Sequence, residues 1–215
     1  MENFLKIVTE CIDKFSKDTN IARHAAIIGG HAIILHGIPR TTLDVDVLLH
    51  YADTKEHPSE IVEKFVAFLK EQLEDLFEVE YFAASRDPFD PLKHDLIIIT
   101  DPKKRFKKLD ILIANYEWEL EGLMSMASSD EGLLGSYPKP YLVGMKLMAG
   151  GAQDEEDIRN LFFIMTDVEK EKALEIAQLI KRDKNLSKIL AKKRPGKMKG
   201  PQVDIQSRGS GEVGK

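Results

Sequence analysis

Two aspartates, Asp44 and Asp46, are separated by a single residue in the stretch that runs from Ile27 to His50. The apolar residues around them recur with a period of two, at Leu43, Val45, Val47 and Leu49. That pattern predicts a half-buried strand with both carboxylates on its other face, about 6–7 Å apart. Two such groups have no evident role in folding, and carboxylate oxygens are ligands that Mg²⁺ prefers. The pair therefore predicts a metal site.

A third carboxylate interrupts a later apolar segment. In 109–114, Leu109 and Ile111 would face the core, and Asp110 would point to the opposite side. Nucleotidyl transfer commonly uses two divalent ions, about 3.5–4 Å apart, held by carboxylates. We predict that Asp44, Asp46 and Asp110 hold two Mg²⁺ or Mn²⁺ ions, and that Asp110 also helps to deprotonate an acceptor hydroxyl.

Residues ahead of the acid pair have the properties expected of a triphosphate site. Gly29 and Gly30 allow close approach of the main chain and precede a short apolar helix, whose first amides attract anions. Arg40 is expected to reach a phosphate, and Thr42 to donate a hydrogen bond to it. An NTP is therefore the predicted substrate of this region.

The order of these residues resembles the active-site signature of the DNA polymerase β-like nucleotidyltransferase superfamily. The run GGHAIILHGIPRTTLDVDVLL is most similar to minimal bacterial and archaeal members, which include the AbiE-type abortive-infection toxins. Arg40, Thr42, Asp44 and Asp46 match the family pattern R-x-T-x-D-x-D, and Asp110 in KKLDILIA matches its later acid. The resemblance implies a nucleotidyltransferase fold with a metal-dependent active site.

A second segment, YLVGMKLMAGGAQDEEDIRNL, extends the resemblance over roughly residues 25–165. It places Lys146 in a helix ahead of Asp154 and Asp157, which implies that Lys146 binds the triphosphate. The chain departs from the family in two places. Residues 150–152 are Gly-Gly-Ala where an arginine often occurs, and Gly30 stands where many members have serine.

The resemblance implies an enzyme that moves an NMP from an NTP to an acceptor hydroxyl and releases pyrophosphate. The acceptor would be an RNA end or a protein side chain, and in a toxin–antitoxin pair a cognate antitoxin would be a partner. The alternative is a non-catalytic nucleotide-binding or partner-binding module on the same fold, which the departures make worth testing.

Each candidate residue also has a purely structural interpretation. The acid pair could be the solvated edge of a strand, and Asp110 a charge that protects an edge strand from aggregation. Lys146 lies in an apolar helix from which a lysine can extend its ammonium to solvent. Asp154 and Asp157 lie where a helix begins and would stabilise its dipole. We interpret all six histidines as structural or surface residues.

A basic loop precedes Asp110. It contains Lys103, Lys104, Arg105, Lys107 and Lys108. Such a run is commonly a solvated turn. Its position next to the third acid also fits a second role, in which it guides a polyanionic acceptor such as tRNA to the metal site.

Hydrophobic periodicity predicts the elements that position these residues. Helices are predicted at 2–16 and 25–36 and from Pro58, the last of them after a first strand at 43–49. Three more strands are predicted at 77–84, 95–100 and 109–114. Further helices are predicted at 116–127, 140–149, 154–165, 168–181 and 184–193, the fourth with a Thr166–Glu169 capping box. We expect an α/β (α+β) fold: a mixed sheet flanked by helices in a catalytic domain at 1–115, a helical domain at 116–193, and a disordered basic tail at 194–215.

Composition limits the remaining possibilities. The 215-residue chain is 43% apolar and 31% charged, as in ordinary globular proteins. Residues 1–187 contain 34 acidic and 23 basic residues, which argues against broad, non-specific binding of nucleic acids. Cys11 is the single cysteine, so an intramolecular disulfide is excluded. Without a secretory or membrane-spanning apolar run, we expect a cytoplasmic protein with no membrane partner.

Overall fold

A computed structural model describes residues 2–52, 58–85, 87, 93–126 and 134–192. The first part of the chain forms α1 (Glu2–Thr19), β1 (Ala22–Ile28), α2 (Gly29–Leu35), β2 (Asp44–Ala52), α3 (Pro58–Leu73), β3 (Glu78–Phe82), β4 (Leu96–Thr100) and β5 (Lys108–Ile113). Helices follow: α4 (Glu117–Met124), α5 (Lys139–Ala149), α6 (Ala152–Ile164), α7 (Asp167–Leu179) and α8 (Asp183–Ala191).

The five strands form one mixed sheet in the order β1-β2-β5-β4-β3. The central strands β2 and β5 are parallel, and every other neighbouring pair is antiparallel. The outer edge of β1 is covered at Ile27, which exchanges backbone hydrogen bonds with Gly135 and Tyr137. The prediction of a mixed sheet flanked by helices is confirmed.

One face of the sheet is packed against α1 and α3. Val45, Val47 and Leu49 on β2 are all buried on this face, as the period-two pattern predicts. The ring of Tyr51 continues the row and contacts Phe15 on α1 and Phe65 on α3. Each large apolar side chain buried here contributes about 1.5–3 kcal/mol, which favours the arrangement with this face of β2 towards the core.

The prediction of a helix over 25–36 is wrong in its first part. Residues 22–28 form the strand β1, and the helix begins only at Gly29. All four residues from Ala25 to Ile28 are buried, because both faces of the strand are covered. A strand of this kind lacks the polar alternation that distinguishes strands from buried helices in a sequence.

Leu43 is a second correction. It was expected to begin the apolar face of β2, but it precedes the strand and is 89% exposed. The remaining predicted elements are present in the structure, with ends shifted by a few residues as helix termini and strand ends commonly are.

The helices after the sheet pack on one another and on the sheet. Gly144 on α5 lies against Trp118 and Ile176, so α4, α5 and α7 meet at this glycine. The predicted capping box is present, with the amide of Glu169 donating to Thr166 Oγ1 at 3.3 Å. Buried residues from Phe4 to Ile189 form one continuous core. The division into two domains at residue 115 stays a prediction.

The predicted basic tail at 194–215 falls beyond the part of the chain that the structure describes. Among the residues that are described, no helix combines the length and the apolar character needed to cross a bilayer.

Candidate active site

The register of β2 and β5 brings the three predicted acids together. Asp46 lies directly opposite Asp110, and Asp44 opposite Lys108, in the parallel pair. Because strands in register present paired residues on the same side, the three carboxylates share one face of the sheet. Each offers an oxygen that lies within 4.8 Å of an oxygen of the other two. Residues 64 positions apart in the sequence thus form one acidic cluster.

Burial makes this cluster electrostatically unfavourable without a cation. Burial foremost, together with the negative charges of Asp44 and Asp110, raises the pKa of Asp46 to about 6, although the positive charges of Lys146 and Lys108 oppose the shift. The Lys108 ammonium lies 2.6 Å from Asp110 Oδ2 and partly offsets the charge. A bound cation would reduce the repulsion among the three carboxylates and so stabilise the cluster.

Asp110 carries the clearest sign that a ligand belongs here. The residue is 9% exposed, and its Oδ1 is buried without a hydrogen-bond partner among the described residues. A buried carboxylate oxygen normally has a partner, because leaving it unpaired costs about 1–3 kcal/mol or more. The donor set consists of carboxylate oxygens only, which suits Mg²⁺ or Mn²⁺. The residues present therefore fit a divalent metal.

Gly29 is required by the position of Asp46. A β-carbon built on Gly29 would lie 1.8 Å from Asp46 Oδ2, and the residue has a φ of +61°. The contact leaves no room for a side chain, and the left-handed backbone favours glycine. The sequence suggested that this glycine brings main chain close to a phosphate. The structure gives it a second role, which is to leave room for a carboxylate of the cluster.

Gly30 is similarly enclosed. A β-carbon there would lie 2.7 Å from Thr42 Oγ1 and 3.2 Å from the guanidinium carbon of Arg40. In this chain, Thr42 and Arg40 fill the space that a serine side chain would need. The packing accounts for glycine at this position. Phosphate binding by Gly29 and Gly30 stays a prediction.

Asp44 is held by its neighbours. Thr42 Oγ1 donates to Asp44 Oδ1 at 3.1 Å, and His31 Nδ1 donates to the backbone carbonyl of Asp44 at 2.8 Å. Burial lowers the pKa of His31, which favours the neutral ring. Lys107 in turn donates to the carbonyl of Thr42 at 2.6 Å. The side chain predicted to bind phosphate, Thr42, here orients a carboxylate of the cluster.

Arg40 and Lys146 meet at a buried acid. The guanidinium of Arg40 pairs with Asp157, whose side chain is 1% exposed. Lys146 Nζ lies 2.9 Å from Asp157 Oδ2 and 2.8 Å from Asp154 Oδ1. Asp154 also accepts the amide of Gly151, as expected of an acid in the first turn of a helix. The expectation that Asp157 serves only to stabilise a helix start misses this network, which joins the segment before β2 to α5 and α6.

A cleft of about 380 Å³ opens beside the acidic cluster, between the sheet and α5. Gly29, Asp46 and Lys146 all line it. Most of its remaining wall is apolar, formed by Ile28, Leu112, Leu142, Met145, Met148 and Ala149. These three of the predicted triphosphate and metal residues therefore border one concave space of a size that small ligands occupy, whereas Arg40 lines a separate pocket with Asp157.

His94 and Glu119 also line the cleft, and their proximity is not predicted from the sequence. His94 Nε2 donates to Glu119 Oε1 at 2.8 Å, and Glu119 is fully buried. The only local signal was the position of Glu119 three residues after Tyr116, where it completes a capping box at the start of α4. Nothing in the spacing of the two residues predicts their contact.

Comparison with known proteins gives no assignment. No family model and no curated protein matches the chain. Similar solved structures include the antibiotic-resistance factor ANT(2'')-Ia, with a TM-score of 0.45 and 16% identity, covering 87% of this chain and 97% of that one. Another is an antigenic nucleotidyltransferase-like protein from Paracoccidioides brasiliensis, with a TM-score of 0.43 and 18% identity, covering 86% and 91%. At these scores and identities, neither similarity determines the activity of this chain.

Proposed function

We propose that this protein is a metal-dependent nucleotidyltransferase that moves an NMP from an NTP to an acceptor hydroxyl and releases pyrophosphate. The observation that carries the proposal is the cluster of Asp44, Asp46 and Asp110 on two adjacent parallel strands, with their oxygens within 4.8 Å of one another. The buried Oδ1 of Asp110 supports it, because that oxygen has no hydrogen-bond partner among the residues that the structure describes.

The reaction needs charge stabilisation and a base. Two divalent ions, when bound, stabilise negative charge on the phosphates and on the attacking oxygen. Asp110 accepts the hydrogen bond of the acceptor hydroxyl and takes its proton. The acceptor oxygen then forms a bond to the α-phosphorus, and the bond between that phosphorus and the bridging oxygen to the β-phosphate breaks. The electron pair leaves with pyrophosphate.

Lys146 and the glycine pair would hold the triphosphate. Lys146 borders the same cleft as Asp46, and its ammonium is presented by a buried helix. Since Asp154 and Asp157 already pair with Lys146, an incoming phosphate would share this ammonium with them or replace one of them. Arg40 is paired with Asp157 and would contribute in the same way.

The proposed acceptor is an RNA end or a protein side chain. The proposed biological setting is a toxin–antitoxin pair, in which a cognate antitoxin is the partner. Both come from the resemblance of residues 25–165 to the minimal prokaryotic nucleotidyltransferases. The basic loop is consistent with a polyanionic acceptor. All five of its basic residues are exposed, and Lys108 at its end contacts Asp110.

Salt dependence tests the role of this loop. If an RNA acceptor contacts Lys103 and Lys104, replacing both with serine should weaken its binding and reduce the slope of log affinity against log salt by about 1.5. Replacing the exposed Lys6 and Lys70 with serine is the matched control. An unchanged slope in the loop variant would exclude the loop as an RNA-binding surface.

The function itself is tested by incubating the protein with each NTP, Mg²⁺ or Mn²⁺, and total RNA or total protein. We expect transfer of the nucleotide label and release of pyrophosphate by the wild type. Asp44→Asn should abolish both, because it removes a charged ligand while keeping the shape of the side chain. Asp75→Asn changes an exposed acid on the surface and serves as the control.

A non-catalytic nucleotide-binding or partner-binding module is the second candidate. It is favoured by the pairing of both Arg40 and Lys146 with acids of α6, and by Gly150-Gly151-Ala152 in place of an arginine. Such a protein would be stabilised against heat by an NTP without releasing pyrophosphate with any acceptor. Thermal unfolding of the wild type with and without an NTP, together with the pyrophosphate measurement above, distinguishes the two candidates.

A further inference from the structure

The cleft continues past the acidic cluster along the sheet. Leu112 follows Asp110 by two residues on the same face of β5, so the floor of the cleft is about 6–7 Å from the carboxylate. His94 lies beyond it. Leu96 pairs with Leu112 in the antiparallel β4–β5 ladder, and the amide of Ile113 donates to the carbonyl of Asp95. This register places His94 roughly 13 Å from Asp110 along the sheet.

The far end of the cleft presents a histidine that is fixed in position. Glu119 Oε1 accepts from His94 Nε2, and Glu119 Oε2 accepts the backbone amides of Asn115 and Tyr116 at 3.1 and 3.2 Å. The Tyr116 ring meets the imidazole edge-on, at 5.4 Å between centroids. Because three hydrogen bonds hold the buried Glu119 carboxylate in one orientation, the carboxylate in turn holds the His94 ring in place. The imidazole therefore has one defined orientation.

The other ring nitrogen of His94 is free to bind a ligand. Nδ1 has no hydrogen-bond partner within the described ranges, and the side chain is 13% exposed in the cleft. Between this nitrogen and the acidic cluster, the walls are formed by Leu112, Leu142, Met145 and Met148. The space thus combines apolar side walls with a polar end, which contains the oriented imidazole of His94 and the neighbouring residue Lys93.

We propose that this part of the cleft binds the nucleobase of the NTP, and that His94 hydrogen-bonds to the edge of the base through Nδ1, with Glu119 as its positioning residue. The inference rests on the proposed function. A nucleobase has flat faces that pack against leucine and methionine side chains, and a polar edge that needs a hydrogen-bond partner.

The arrangement favours the nucleotide over the acceptor as occupant. Gly29, Lys146 and Asp46 border the near end of the cleft, where the phosphates and metal would lie. The basic loop suited to a polyanionic acceptor lies at the start of β5, on the other side of Asp110 from Leu112. The nucleoside and the acceptor would therefore reach the α-phosphate from different directions, so that neither occupies the space of the other.

Binding measurements with Mg²⁺ and four non-hydrolysable NTP analogues, together with inorganic triphosphate, test this inference. The wild type should bind at least one analogue more tightly than triphosphate. His94→Ala should weaken that analogue by about tenfold, the loss of one hydrogen bond, and leave triphosphate affinity unchanged. Glu119→Gln should alter the order of preference among the four bases, which a purely structural role would not do. His24→Ala, on β1 and outside the cleft, is the control.

Two results would overturn the inference, and they are distinguishable. If the wild type binds the analogues and His94→Ala binds each of them with the same affinity as the wild type, the base does not contact His94. The proposed function then stands. If the wild type binds neither the analogues nor triphosphate, the proposed function fails as well. His94→Gln retains a hydrogen-bonding side chain and should keep more of the affinity than His94→Ala, which separates loss of the contact from misfolding.

Discussion

Gly29 has no side chain because Asp46 occupies the place that one would need: a β-carbon there would lie 1.8 Å from Asp46 Oδ2. The backbone turn between β1 and α2 is thus fitted to a carboxylate of the neighbouring strand. A glycine that the sequence connects with phosphate binding is also a steric requirement of the acidic cluster.

Substitution of this glycine should therefore disturb the cluster as well as the backbone. Gly29→Ala should lose more stability than the roughly 1 kcal/mol expected from a positive φ alone, and should lose the stabilisation of the protein by Mg²⁺. Gly37 is a matched control, because it has a φ of +83° with no atom within 4 Å of a β-carbon. Thermal unfolding with and without Mg²⁺ measures both effects. Equal losses in the two variants would contradict the steric role of Asp46.

Asp46→Asn should stabilise the metal-free protein. Three carboxylates lie together at a partly buried position, and the pKa of Asp46 is raised to about 6, chiefly by burial. At pH 8 the ionised form is therefore disfavoured in the folded state, and removing its charge should add about 1–3 kcal/mol.

The same substitution should remove the increase in melting temperature that Mg²⁺ gives to the wild type, because a ligand that binds only the folded state stabilises it. Unfolding at pH 8 in a chelator and in Mg²⁺ checks both expectations, with Asp75→Asn as the control. A metal-free Asp46→Asn protein that is less stable than the wild type would show that the carboxylate has a structural role instead.

Asp101 gives a prediction about acid unfolding. Its buried carboxylate accepts the Arg105 side chain and the backbone amides of Lys103 and Arg105, and these hydrogen bonds, that of the Arg105 side chain foremost, lower its pKa to about 2. Because the pKa is lower in the folded state, the stabilisation is present above pH 4 and is lost as the pH falls towards 2.

The difference in unfolding free energy between the wild type and Asp101→Asn should accordingly shrink over that interval. Denaturant titrations at several pH values between 5 and 2 measure it. The exposed Asp18→Asn should show little difference from the wild type throughout. A gap between the Asp101→Asn and wild-type curves that is independent of pH would rule out the ionic contribution.

Asp157→Asn should destabilise the protein strongly, because it leaves Arg40 and the buried Lys146 without a shared counter-charge. Removal of one partner from a buried ion pair costs about 3–5 kcal/mol. Asp154 also pairs with Lys146 and lies on the same helix, but it is more exposed. Asp154→Asn should therefore lower the free energy of unfolding by only about 1 kcal/mol. Chemical denaturation measures both variants. Similar losses of unfolding free energy would mean that the burial of Asp157 does not determine the contribution of this network to stability.

The sequence contains enough information to predict β2 and β5 and the side on which their acids lie. In both strands one face packs against the core, and the first residues of the other face are less buried. Polar and apolar residues therefore alternate there. That alternation placed Asp44, Asp46 and Asp110 correctly on one side of the sheet. It failed for β1, where Ala25 to Ile28 are buried on both faces and no alternation exists.

Contacts between distant segments could not be predicted in this way. Arg40 and Asp157 are 117 residues apart, and His94 and Glu119 are 25 apart. Their pairing follows from how α4, α5 and α6 pack on the sheet, which no local pattern specifies. The acids of α6 had a sufficient local explanation as helix-stabilising charges, and only the fold shows that Asp157 is fully buried between two cations.

Nucleotidyl transfer is tested most directly by two NTPs that differ only in the position of the radiolabel, one at the α-phosphorus and one at the γ-phosphorus. Each is incubated with the wild type, Mg²⁺ and the acceptor mixture. We predict that the α-label becomes attached to the acceptor, the γ-label leaves as pyrophosphate, and Asp110→Asn slows both by a factor of about 10²–10⁴. Transfer of the γ-label to the acceptor, or transfer of neither label by the wild type, would contradict the account.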